Sequence, residues 1–261
     1  MKKRLDLLLV EKGLAATRER AKALIMAGAV TVGGEVIDKA GTAVEEDAPL
    51  AVASGPRYVS RGGNKLERAL EAFGLDVEGM VALDIGASTG GFTDCLLQHG
   101  ASRVYAVDVG YGQLDWRLRS DPRVVVMERT NARYLASLPE PVDLATMDAS
   151  FISLRLLIPP VARLLKDGGQ IVALVKPQFE AGRGQVGKGG VVRDPMVHRS
   201  VLEGLAQWGD QEGYGMRKVV ASPVRGPAGN VEFLALMEPG QQSSPDLAEQ
   251  IDAALWEAAR V

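Results

Sequence analysis

The sequence predicts a doubly wound α/β domain whose sheet ends in an antiparallel hairpin, preceded by a small α+β unit. From residue 81 onward, short β-branched apolar runs alternate with helical stretches. One run, Val81–Ile85, leads through a glycine-rich turn straight into a helical stretch. Near the start, two short helical patterns are followed by two β-prone runs around Gly33 and Gly34.

In the small unit, Leu5, Leu8 and Leu9 follow helical spacing, and Gly13 offers a stop. Thr17 is placed to cap a second helix that turns Ala21, Leu24 and Ile25 inward and ends at Gly28. "AVTVGGEVI" then reads as a hairpin. Arg18 and Lys22 sit four apart along the edge of the second helix's apolar stripe, with Arg4 and Arg20 nearby in sequence. Residues 1–65 hold 11 basic against 8 acidic side chains, and the remainder 19 against 25. A basic head on an acidic body points to an anionic partner met first by the head.

"ASGPRYVSRGGNKLERAL" reads as a linker running into a helix capped by Asn64, with Leu66, Ala69, Leu70 and Phe73 as its apolar stripe. Lys65 lies in the first turn of that helix, where the dipole disfavours a cation. Arg57 and Arg61 add charge at the joint. The expected organisation is a head over 1–55, a linker over 56–64, a main domain over 65–240 and a helical tail over 241–261.

"MVALDIGASTGGFTDCLLQHG" carries the strongest chemical signal: strand Val81–Ile85, loop Gly86–Gly91, helix Phe92–His99. The spacing is G-x-x-x-G-G, not the G-x-G-x-x-G of dinucleotide sites. Asp84 at the strand end would repel a pyrophosphate but suits a sulfonium or an ammonium. The loop therefore favours S-adenosylmethionine over NAD, with Gly86, Ala87, Ser88, Thr89, Gly90, Gly91, Phe92 and Thr93 around it. Asp108 ends the next strand, 24 residues after Asp84, where a carboxylate can accept both ribose hydroxyls. After the third strand, Asn131 either bonds the adenine or serves a turn. Further strands are expected to end at Met147 and Val175, with helices near 155–165 and 197–207, and 218–221 and 231–237 pairing as the hairpin. Asp148 and Lys176 both follow strands at the edge where doubly wound sheets bind ligands.

Other features narrow the function. Cys95, the single cysteine, excludes an internal disulfide framework and a multi-cysteine zinc site. His99 and His198 are too isolated for a metal site or a triad and read as structural. No apolar run approaches the ~18 residues of a membrane span, and acids interrupt the apolar start, unlike a signal peptide. Aromatic content of 5% argues against a large stacking surface for single strands. "EAGRGQVGKGGVVRDP", with Arg183, Lys188 and Arg193, is either a lid on RNA or a plain surface loop. Phe151 packs either on cofactor or target, or in the core.

The head over residues 4–52 resembles the RNA-binding module named after ribosomal protein S-four. That resemblance implies phosphate contacts from Arg4, Arg18, Arg20 and Lys22, with Arg57 and Arg61 beside them. The body resembles the FtsJ-type ribose 2′-O-methyltransferases through "SRGGNKL", "DIGASTGGFTD", "DVGYGQL", "DASFISL", "VKPQFE" and "GNVEF". Head and body together resemble the TlyA (haemolysin-A) family of ribosomal RNA cytidine 2′-O-methyltransferases. The resemblance implies a Rossmann-like class I fold, S-adenosylmethionine as cofactor, and a tetrad of Lys65, Asp148, Lys176 and Glu232. In that tetrad Lys176, once neutral, would accept the hydroxyl proton. It further implies ribosomal RNA or subunits as partner; the composition favours the cytoplasm with no metal and no membrane, and a monomer is favoured with the oligomeric state left open. The rivals are an RNA base N-methyltransferase, which the absence of N/D-P-P-Y/F after the fourth strand disfavours, and a pore-forming haemolysin.

Overall fold

The computed structural model describes residues 2–26, 28–52 and 57–260, without the side chains of Arg183 and Pro227. The chain divides into two compact units, residues 1–57 and 58–261.

The first unit runs β1 (Lys2–Arg4), α1 (Leu5–Glu11), α2 (Arg18–Met26), β2 (Val30–Val32), β3 (Glu35–Val36), β4 (Ala43–Glu45) and β5 (Leu50–Val52). Thr17 caps α2 as expected, its hydroxyl accepting from the Arg20 amide at 3.2 Å. Gly33 and Gly34 take φ of 61° and 90°, which closes the two-residue turn and sets Val32 opposite Glu35. The pairings β1–β4 and β2–β5 were not legible, since each joins three-residue strands distant in sequence. Leu5, Leu8, Leu9, Ile25, Val30 and Val44 form the core. Asp6 is fully buried and is held by Arg4 and Arg18, each at 3.0 Å. The two guanidinium groups outweigh burial and hold its carboxyl down at about 2. Two of the expected phosphate contacts thus fasten β1 and α2 to α1, whereas Arg20 is exposed and Lys22 half-buried, neither in an ion pair among the described residues.

The second unit continues with α3 (Gly62–Phe73), β6 (Val81–Ile85), α4 (Gly91–Gln98), β7 (Arg103–Val107), α5 (Trp116–Arg119), β8 (Val124–Met127), β9 (Val142–Met147) and α6 (Ile158–Ala162). It ends with β10 (Leu165–Val175), α7 (Pro177–Glu180), α8 (Pro195–Glu212), β11 (Tyr214–Ala221), β12 (Phe233–Pro239) and α9 (Leu247–Ala258). One sheet in the order β11-β12-β10-β9-β6-β7-β8 spans the unit. Its strands β6 to β10 are parallel, while β12 runs antiparallel to both β10 and β11. The doubly wound sheet with a terminal hairpin is therefore present. One apolar cluster packs α3 and α4 on one face, and the other packs α6, α8 and α9 on the opposite face.

Four boundaries differ from expectation. The helix after the linker starts at Gly62, with Arg61 rather than Asn64 at the cap position. Residues 58–64 belong to this unit: Tyr58 is buried, and the Val59 amide donates to Asp94 at 2.8 Å. Of the expected linker stretch, 53–56 lie outside the described residues. The helix expected over 155–165 is a 3-10 turn, Leu154–Leu156, followed by the short α6, because Pro159 and Pro160 fit only a first turn. The terminal tail is not separate: Leu247, Ile251, Ala254 and Ala258 of α9 join the core beside α8.

Candidate active site

Registry gathers the chemistry at one edge of the sheet. Ile85 lies opposite Met147, and Met147 opposite Ala173, so the ends of β6, β9 and β10 are level to within a turn of strand. Asp148 follows β9 directly and Lys176 follows β10 directly. Strand β12 runs the other way with Phe233 opposite Val175, which brings Glu232 in at the same edge. Lys65 arrives from the first turn of α3. These four side chains line a cavity of about 440 Å³ together with Ser60, Arg61, Gly62, residues 86–89, Gly91, Phe92, Ser150, Arg225 and Gly226.

The four groups form two ion pairs. Lys65 Nζ donates to Glu232 Oε2 at 2.5 Å, and Lys176 Nζ meets Asp148 Oδ1 at 2.6 Å. Lys176 also donates to Ser150 Oγ at 2.9 Å and to the Asp148 carbonyl at 3.4 Å. Lys65, Lys176 and Glu232 are buried, while Asp148 is partly open. The second oxygen of Glu232, Oε1, is buried with no hydrogen-bond partner among the described residues. Gly226 closes over it so tightly that a Cβ there would stand 2.1 Å away.

The glycine loop is built for close approach. Gly86 has φ of 81°, and a Cβ on it would stand 2.7 Å from the Asp148 carbonyl oxygen. A Cβ on Gly91 would meet Ser60 Oγ at 2.3 Å and the Gly63 nitrogen at 2.9 Å, so the first turns of α3 and α4 touch beside the cavity. Gly90 instead packs against Leu114 and Leu118, away from the cavity lining. Asp84 lies outside the cavity lining. It is fully buried beneath the loop, with one oxygen accepting from Thr93 Oγ1 at 2.7 Å and the other from Thr146 Oγ1 at 3.1 Å. Thr93 is likewise buried and outside the lining.

Burial pushes the Asp84 carboxyl up from 3.8 to about 6, more than its two hydroxyl donors pull it down. The folded state therefore holds this proton more tightly than the unfolded chain. Stability contributed by Asp84 is greatest below pH 3.8 and falls as pH rises towards about 6. A shift of that size corresponds to roughly 3 kcal/mol. Urea unfolding across this range should show Asp84→Asn losing less stability with rising pH than wild type. Parallel curves would contradict it.

Of the remaining expected residues, Asp108 and Asn131 are outside the cavity lining. Asp108 accepts from the Ser88 amide at 2.8 Å and the Gly110 amide at 2.6 Å, tying the second strand end to the glycine loop. Asn131 is exposed, and its Oδ1 caps a 3-10 turn through the Arg133 amide at 3.0 Å. Arg61 joins the cavity lining, whereas Arg57 belongs to the first unit. Phe151 is not core: it is 90% exposed with φ of 63°, against Phe179 at a ring distance of 5.1 Å. Glu180 fixes this arrangement by accepting from Ser153 Oγ and the Leu154 amide, both at 2.7 Å. His198 bonds the Val192 carbonyl, and His99 that of Cys95, as structural histidines do. Ser150 could have been found from its place two residues after Asp148. Arg225 and Gly226 offered no sequence signal, because only the fold brings their turn over Glu232.

Comparison with known proteins agrees with this geometry. The FtsJ-like methyltransferase model matches residues 58–238, and the S4 domain model matches residues 3–49. An rRNA methyltransferase-named protein of Bacillus subtilis, YqxC, is 53% identical over 95% of this chain and 91% of its own. The 16S/23S rRNA (cytidine-2′-O)-methyltransferase TlyA of Mycobacterium tuberculosis is 49% identical over 88% of this chain and 87% of its own. A solved hemolysin-named structure from Streptococcus thermophilus superposes with a TM-score of 0.76 at 47% identity, covering 99% of this chain and 96% of that one. Among the described residues, no helix is long and apolar enough to cross a membrane. The FtsJ-like match spans more than half of the chain and TlyA relatives are 49% identical to it, so the chain belongs to the FtsJ-like methyltransferase family, alongside the TlyA enzymes.

Proposed function

We propose that the protein transfers a methyl group from S-adenosylmethionine to a ribose 2′-hydroxyl of ribosomal RNA, as a cytidine 2′-O-methyltransferase working in the cytoplasm. The observation that carries this is the double ion pair around one cavity, with the unpartnered Glu232 Oε1 beside it. The TlyA name of a relative at 49% identity supports cytidine as the target.

The cavity residues fit the cofactor. A cavity of about 440 Å³ lies within the range of small-molecule sites. The touching first turns of α3 and α4, with Ser60 and Arg61, offer amides and a guanidinium to a carboxylate. Gly86 lets the loop pack directly on the Asp148 backbone, and Asp108 retains lone pairs for ribose hydroxyls. Asn131 keeps its amide group free for an adenine edge. When bound, the cofactor supplies an electrophilic methyl on a sulfonium.

The chain's own groups do the rest. Lys176, once it has given up its own proton, accepts the proton of the hydroxyl, with Asp148 and Ser150 holding the amine in place. Lys65 and Glu232 orient the ribose from the other side. Phe151 offers its exposed ring to the base of the target. Arg20 and Lys22 hold RNA phosphates from the head, with Arg57 alongside. Replacing Arg20 and Lys22 by glutamine should shallow the logarithmic salt dependence of RNA binding by about 1.5, at unchanged melting temperature. Glutamine at Arg4 or Arg18 should lower the melting temperature as well. An unchanged salt slope in the Arg20/Lys22 variant would make those cations a solvated face.

The reaction is tested with labelled S-adenosylmethionine and ribosomal subunits from cells lacking the enzyme, followed by nuclease digestion and mass spectrometry. Label on a cytidine ribose is expected. Label on a base, or none on either subunit, would overturn the reading.

A further inference from the structure

The chain has few aromatic side chains, yet those it exposes are not scattered. Of the five exposed aromatic rings among the described residues, four stand in the segments that follow β7, β8 and β9. Phe151 is already accounted for; the others are Tyr111 (68% exposed), Trp116 (73%) and Tyr134 (75%). Such rings in water are unfavourable unless a partner covers them.

Their segments are joined. The Arg129 amide donates to the Gly110 carbonyl at 3.0 Å, and the Gly112 amide to Glu128 Oε1 at 2.8 Å. The same surface continues into the cavity wall, because the Asp115 amide donates to the Thr89 carbonyl at 3.2 Å and Ser88 Oγ meets Gln113 at 3.3 Å. Arginines are interleaved with the rings. Arg129 lies 4.4 Å over Tyr111, and Arg133 lies 5.6 Å from the Tyr134 ring centre. Arg117 and Arg119 are neutralised by Asp115 and Glu128. Arg129 and Arg133 have no carboxylate within 4.0 Å among the described residues, so their charge remains for a partner.

We infer that Tyr111, Trp116 and Tyr134, with Arg129 and Arg133, form a docking rim for unpaired nucleotides flanking the target on the RNA. This rests on the reading of the cavity as a site for RNA methyl transfer. A ribose that enters a buried cavity must leave its helical stack, and its neighbours then lose stacking partners. Exposed π-faces next to unpaired guanidinium groups replace that stacking and meet the intervening phosphates. A paired duplex gains nothing from the rings, because its bases are already stacked.

The test uses the full chain and fluorescence anisotropy with two probes: an RNA hairpin with an unpaired loop, and a blunt duplex of the same length. With stacking worth about 1–3 kcal/mol per base, Tyr111→Ala/Tyr134→Ala should bind the hairpin roughly tenfold or more weakly, and Tyr111→Phe/Tyr134→Phe within about twofold of wild type. Trp116→Ala should act in the same direction as the double alanine variant. Arg129→Gln/Arg133→Gln should flatten the salt dependence for the hairpin. Duplex affinity and, by calorimetry, S-adenosylmethionine affinity should not move. Unchanged hairpin affinity in the alanine variants would overturn the rim, as would an equal loss on the duplex. Weakened cofactor binding would reassign the rings to the cofactor site. Because binding is read without turnover, a wild-type protein that methylates nothing would defeat the proposed function and leave this result separately legible.

Discussion

Lys176→Ala is expected to lose methyl transfer by roughly 10²–10⁴-fold, the usual worth of a positioned general base. Binding of S-adenosylmethionine and of RNA should persist. Nζ is fixed by Asp148 Oδ1 at 2.6 Å and Ser150 Oγ at 2.9 Å at the mouth of a core strand, so the amine itself is aimed. Lys176→Arg separates proton transfer from charge. A guanidinium keeps its proton at any workable pH, so it satisfies Asp148 without serving as a base. Both variants should therefore be inactive in single-turnover transfer to subunits. An arginine variant near the wild-type rate would reduce Lys176 to an electrostatic role. Ser150→Ala, which removes one of the contacts that aim the amine, should fall between wild type and Lys176→Ala.

How much of this was legible in the chain depends on the range of the interaction. The strand Val81–Ile85, the glycine loop and the cap at Thr17 are local events, governed by residues within one turn of each other, and they stand where the pattern put them. The tetrad positions were reached through resemblance and strand ends. What the pattern could not express was partnership across the sheet. Asp84 reads as a cofactor ligand because it ends a strand beside glycines, and the pattern says nothing of its partners in the fold. Thr146, 62 residues away on β9, claims one of its oxygens and Thr93 the other. Arg4 and Arg18 looked like free cations until Asp6 proved to be buried between them. Low aromatic content argues against a large stacking surface, and composition carries no information on where the few rings gather. Loops that follow neighbouring strands bring Tyr111, Trp116 and Tyr134 to one edge of the sheet although they span 24 positions of sequence.

Removing one member of the Lys65–Glu232 pair should be far more damaging to the fold than removing both. Glu232 is 1% exposed and Lys65 7%, so neither charge has water to fall back on. Glu232→Gln leaves a buried ammonium without its carboxylate, and Lys65→Met leaves a buried carboxylate whose Oε1 already lacks a partner. Each single change should cost roughly 3–5 kcal/mol in urea unfolding, while the double variant, free of both charges, should recover a large part of the loss. Glutamine is the right replacement at position 232 because it keeps the volume that Gly226 packs against. Strict additivity of the two losses in the double variant would mean that the lysine reaches solvent and that the pair is not coupled. Methyl transfer provides the second readout. All three variants should be inactive, because the recovered double variant regains the fold without regaining the groups that orient the ribose. A double variant with both wild-type stability and wild-type turnover would leave the pair a structural strut and confine the chemistry to Lys176 and Asp148.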